Sequence, residues 1–115
     1  MSLPNYADLI NRYPAERSAI AELNRLLSQE TRTEMTFEHL VLHLRPTSKE
    51  SLALILAELA RIGAVRRVFR VESRDHGGIQ DFDNLQNVPD RIHDWRIDED
   101  VEVTLDNVRV IYVSQ

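Results

Sequence analysis

His39 and His43 stand four residues apart, the spacing that sets two imidazoles on one face of a helix and can grip a divalent metal. Such a site needs further ligands, and the usual zinc partners are thiolates or more imidazoles. The chain has no cysteine, and no glutamate follows His39 as it does in zinc proteases. The pair therefore reads as a solvated helix face opposite Phe37, Leu40, Val41 and Leu44, and no metal is expected. His93-Asp94 has the residue types of a proton relay, but no serine framed by glycines accompanies it, so the pair reads as a turn. Asp81-Phe82-Asp83-Asn84 opens like a calcium loop, then continues Leu-Gln-Asn-Val without the glycine such a loop requires; Asp98-Glu99-Asp100 lacks one too. Gly77-Gly78 has neither the lysine nor the following helix of a phosphate loop. The expectation is a protein without catalytic residues, cofactor or metal.

The 115 residues suit one domain, and 43% hydrophobic with 29% charged residues is ordinary globular composition. No apolar run approaches the ~20 residues of a membrane span, and no secretion signal opens the chain, so the expectation is a cytoplasmic protein with no membrane contact. The formal charge of −5 is the wrong sign for wrapping nucleic acid across the whole surface. That charge is unevenly distributed. Residues 80–106 carry nine acids against Arg91 and Arg96, a local −7. Just before them stand Arg66, Arg67, Arg70, Arg74 and His76.

The elements that must position these groups are legible in part. A helix is predicted from Pro14 to near Glu30, with Ala19, Ile20, Leu23, Leu26 and Leu27 as its apolar stripe. A shorter helical turn precedes it around Tyr6 to Arg12, and residues 1–13 read as an N-terminal arm. Thr31 to Glu34 reads as a loop. Thr36 caps a second helix, with Met35 and Leu40 spaced as a hydrophobic staple, and Pro46 ends it. Thr47-Ser48-Lys49-Glu50 reads as a capping box with Thr47 at the cap. The third helix then carries Leu52, Ile55, Leu56, Leu59 and Ile62, and Gly63 terminates it. Ala64 to Glu72 is rich in β-formers, with Asp75 to Gly78 as a turn. Residues 79–97 read as an irregular insertion anchored by residues such as Phe82, Ile92 and Trp95. Val101–Thr104 and Val108–Val113 read as two strands of a hairpin around Leu105-Asp106-Asn107.

Three helices, the last two tightly turned, followed by a β-ribbon resemble the winged-helix superfamily. The resemblance covers roughly residues 14–76 and rests on Met35-Thr36-Phe37-Glu38-His39-Leu40, Thr47-Ser48-Lys49-Glu50-Ser51-Leu52 and Leu59-Ala60-Arg61-Ile62-Gly63-Ala64-Val65. It implies an α+β, winged-helix-like domain: three helices followed by a small antiparallel β-sheet with an extended acidic wing. A wing of that family is a short hairpin, whereas residues 79–97 intervene here.

If the resemblance extends to DNA binding, the third helix enters the major groove with Ser48, Lys49 and Ser51 foremost. That head has one cation and two hydroxyls, and no Arg, Asn or Gln for a bidentate base contact. Arg66, Arg67, Arg70 and Arg74 offer phosphate or acidic-partner contacts, unless they pair across the sheet with the chain's own acids at 98–102. Asp81, Asp83, Asp98, Glu99 and Asp100 form the opposite, acidic surface. The leading expectation is a non-catalytic module that binds another protein, as a small adaptor or regulatory subunit; a homodimer is one arrangement its bipolar half allows. The second is a DNA-binding regulator. The third is an acidic mimic of nucleic acid.

Overall fold

The computed structural model describes residues 5–29, 33–73 and 77–114. The fold is α+β, with four α-helices and six strands among the described residues. The chain forms two compact units, Met1–Arg66 with Tyr112–Gln115, and Arg67–Ile111.

The first unit is built on helices. Asn5 caps α1 (Tyr6–Arg12), its side-chain oxygen accepting the Asp8 N–H at 3.0 Å. Pro14 opens a single 3₁₀ turn (Pro14–Glu16) that runs into α2 (Arg17–Leu27), where Ala19, Ile20 and Leu23 are buried. Next comes β1 (Glu34–Thr36), which takes the last residue of the predicted Thr31–Glu34 loop together with Met35 and Thr36, read from the sequence as staple and cap; Thr31 and Arg32 lie outside the described residues. Its neighbour Thr33 exchanges two hydrogen bonds with Ser114: the Thr33 N–H donates to Ser114 Oγ (2.7 Å), and the Ser114 N–H donates to the Thr33 carbonyl (3.0 Å). Thr36 then caps α3 (Phe37–Leu44) as expected, accepting the His39 N–H at 3.0 Å. Arg45 turns left-handed at φ 50°, and α4 (Lys49–Arg61) follows.

The cap of α4 is Ser48, not Thr47. Ser48 Oγ accepts the Ser51 N–H at 3.2 Å and donates to Glu50 at 3.1 Å. Thr47 is engaged elsewhere: its N–H donates to the buried Glu16 carboxylate at 2.6 Å, and its hydroxyl donates to the Ala15 carbonyl at 3.1 Å. The α3–α4 turn is thereby pinned to the start of α2. Leu52, Ile55, Leu56 and Leu59 bury completely or nearly so, each worth about 1.5–3 kcal/mol of burial. Gly63 at φ +81° ends α4: its N–H bonds the Ala60 carbonyl and the Ala64 N–H bonds the Leu59 carbonyl, the paired closure that a left-handed residue permits.

The remaining strands are β2 (Val65–Ser73), β3 (Gly77–Phe82), β4 (Arg91–Asp94), β5 (Glu99–Glu102) and β6 (Val108–Ser114). Strands β1, β6, β2 and β3, in that order, make one sheet, and β4 with β5 makes a second. In the second unit β2 and β3 are antiparallel, with Arg70 opposite Asp81 and a bulge that leaves Ile79 unmatched. The stretch expected to be irregular therefore holds β3, a 3₁₀ turn at Leu85–Asn87, and β4. The expected hairpin between 101–104 and 108–113 is also replaced. Strand β5 pairs with β4, β6 joins the four-stranded sheet, and Leu105–Asn107 is a 3₁₀ turn capped by Thr104.

Candidate functional site

The β4–β5 hairpin concentrates the unusual chemistry of the second unit. Each strand has four residues, and a single apolar pair, Ile92 opposite Val101, joins them. A two-stranded ribbon this small is marginal in water, so side chains and flanking turns must hold it. At its base the Val103 N–H donates to the Asp90 carbonyl at 2.8 Å, and Asn107 Nδ2 donates to the Glu102 carbonyl at 3.0 Å.

At its tip, Trp95 to Asp98 form the connecting turn, which Asp98 closes at φ +52°, a conformation aspartate tolerates better than most residues. Asp94 organises the turn. It is 1% exposed, and its carboxylate accepts the Arg96 backbone N–H (3.0 Å), Nε–H (2.9 Å) and Nη2–H (2.9 Å). The side-chain hydrogen bonding to Asp94, with a smaller contribution from its charge, holds the Arg96 guanidinium above the ordinary arginine value.

His93 was expected in a turn and lies instead in β4, opposite Asp100. Its Nδ1 is 2.7 Å from Asp100 Oδ1 and its Nε2 is 3.0 Å from Asp98 Oδ1. Ionised carboxylates only accept, so an imidazole bonded to two of them must carry protons on both nitrogens. The bond to Asp100, and secondarily the one to Asp98, raises the His93 pKa against some loss of hydration. The cation also meets the edge or face of Trp95, with ring centroids 4.2 Å apart at 66°.

Trp95 itself is 82% exposed. The sequence placed it among buried anchors with Phe82 and Ile92, and those two are only half-buried. Tryptophan is among the side chains most enriched at the energetic centres of protein interfaces. The sequence carried a weak signal for it. Aspartate two residues before a turn N–H makes an Asx turn, and Asp94-Trp95-Arg96 has that spacing.

The arginines are distributed differently from expectation. Arg70 pairs with Asp81 across β2 and β3, with Nε–Oδ1 at 2.7 Å, a partner on the adjacent strand where the sequence had offered acids at 98–102. Arg109 pairs with Glu72 at 3.0 Å. Arg66 and Arg67 are exposed, and the Arg67 guanidinium lies 5.5 Å from the Phe69 ring centre. Arg74 and His76 lie outside the described residues. Of the acids, Asp81, Asp83, Asp98, Glu99 and Asp100 are all exposed, and only Asp98, Glu99 and Asp100 share the hairpin.

At the head of α4, Lys49 is exposed while Ser48 and Ser51 are half-buried. The Ser48 hydroxyl is already committed as both acceptor and donor, which leaves it little to offer a base edge. His39 and His43 are exposed and stack at 6.5 Å. His43 contacts Glu22 at 3.1 Å, and Arg25 with His43 pulls the Glu22 carboxyl down to about 2. Among the described residues no group of three His, Asp or Glu side chains is placed to hold a metal ion, and no helix is long and apolar enough to cross a membrane. No family model, curated protein or solved structure matches this chain.

Proposed function

We propose that this chain is a non-catalytic winged-helix module that works through protein contacts, as a small adaptor or regulatory subunit. Trp95 is the observation that carries the reading: a large aromatic in solvent at the tip of a hairpin whose turn is fastened by Asp94 and Arg96. The winged-helix part of the reading is supported by the order α2, β1, α3, α4, β2 and by the tight α3–α4 turn. The contact part gains support from the committed cap at the head of α4, which weakens it as a base-reading element.

A DNA-binding regulator is the second reading, favoured by Lys49 at the start of α4 and by the exposed Arg66 and Arg67 on β2. One paired experiment separates the two. Proteins retained by the immobilised wild-type chain are compared with those retained by Trp95→Ser, while a mixed-sequence duplex is titrated by fluorescence anisotropy. We expect a retained protein to be lost with Trp95→Ser, and no duplex binding even at low salt. Duplex binding that weakens steeply with salt, equal in wild type and Trp95→Ser, would replace the adaptor with the regulator.

A further inference from the structure

Building on the hairpin reading above, we infer that the surface receiving Trp95 is an apolar pocket on a protein partner, rimmed by lysine and arginine. Trp95 projects from a turn rather than lining a groove, so the hairpin is the inserting member and the partner supplies the cavity. Such an anchor contributes most when surrounding contacts exclude water from it. The surroundings here are anionic. Segment 90–102 holds six carboxylates against Arg91 and Arg96, so it carries −3 even with His93 charged. Asp94 and Arg96 neutralise each other, and His93 offsets one of its two aspartates. Glu99, opposite Asp94 at the turn end of β5, and Glu102, opposite Arg91 at its base, remain exposed.

That charge selects among occupants. Nucleic acid presents phosphates, and a bilayer interface rich in anionic headgroups presents the same sign, so both are repelled from this hairpin. A second copy docked tip to tip sets −3 against −3, and the whole chain carries −5. A basic rim on a different protein satisfies the carboxylates and accelerates encounter, while the indole sets how long the complex lasts.

The test uses Trp95 as its own reporter, since the chain has a single tryptophan. The probes are an amphipathic leucine–lysine peptide, which presents an apolar face edged with cations, and a leucine–glutamate peptide of equal length. We expect a saturable blue shift of Trp95 emission with the lysine peptide and none with the glutamate peptide. Affinity should fall on the order of tenfold in Glu99→Gln/Glu102→Gln, which leaves the His93 cluster intact, and fall again as salt rises. Equal shifts with both peptides would overturn the basic rim while leaving the hairpin as an apolar anchor. No shift with the lysine peptide at low salt also overturns the basic rim. If Trp95→Ser in addition retains every protein the wild type retains, the hairpin reading falls with it.

Discussion

Replacing Asp94 by alanine should open the β4–β5 hairpin while leaving the helical unit intact. The carboxylate accepts three hydrogen bonds from Arg96 and is itself 1% exposed. A hydrogen bond to a charged group is worth about 1.5–3 kcal/mol net, but two of these donors belong to a guanidinium side chain 44% exposed, which rehydrates when released. Deleting a buried carboxylate also removes its desolvation cost. What remains is the Arg96 backbone N–H and the turn geometry it fixes, for a net loss of about 2 kcal/mol. Against a ribbon with one apolar cross-strand pair, that loss is decisive, because ~2 kcal/mol is about a thirtyfold change in the closed-to-open ratio. Amide hydrogen exchange reads it directly. Protection across Arg91–Asp94 and Glu99–Glu102 should fall about thirtyfold, with α2 and α4 unchanged and Trp95 anisotropy reduced. Asp94→Asn keeps an acceptor for the Arg96 N–H and should lie between wild type and alanine. Unchanged hairpin protection in Asp94→Ala, or an equal loss in α4, would refute local fastening by this residue.

Two further changes probe the other buried and charged contacts. Glu16→Ala removes the acceptor that pins Thr47, and we expect a loss of about 1–2 kcal/mol in urea unfolding followed by circular dichroism. Glu16→Gln should lose less because it retains an acceptor oxygen; in Glu16→Ala part of the cost is offset, since the buried, unpartnered Glu16 Oε2 goes with the side chain. An alanine variant as stable as wild type would remove Glu16 as the pin. For His93, the folded pKa is raised, so its contribution is complete below the unfolded value and is lost as pH rises through the folded one. The hairpin should therefore loosen on the alkaline side of the ordinary histidine value, read by NMR titration of the ring alongside Trp95 emission. Asp100→Asn should move that midpoint down, and a wild-type midpoint at or below that of a free histidine would contradict the two-carboxylate geometry.

The helices were legible because each boundary carries a local mechanism. Thr36 caps α3, Gly63 closes α4, and the four buried residues of α4 recur at helical spacing. The misplaced cap at Thr47 shows where locality ends. Thr47 and Ser48 are chemically equivalent candidates, and the choice between them is made by Glu16, thirty-one residues earlier. Strand β1 was hidden for a different reason: three residues are too few for an alternating pattern, and only Met35 is buried. In β4 and β5, Ile92 and Val101 are the sole apolar residues, so no hydrophobic period could reveal the pairing.

The charges failed to predict their partners for a related reason. Opposite runs at 66–74 and 98–102 suggested pairing between them, yet the described pairs of the second unit form over short distances in structure. Asp94 takes Arg96 two residues away, His93 takes Asp98 and Asp100 within one hairpin, and Arg70 takes Asp81 on the adjacent strand. Short-range pairing is favoured because the turn or register already fixes both side chains, so little further entropy is lost in bringing them together. Its consequence is that the arginine run is partly spent before it can reach the acidic segment. Glu99 and Glu102 remain exposed on the hairpin whose tip carries a tryptophan that the core does not cover. A surplus of one sign together with an uncovered aromatic gives the hairpin no gain in its own folding, and both features become favourable together only when a surface of opposite charge closes over them.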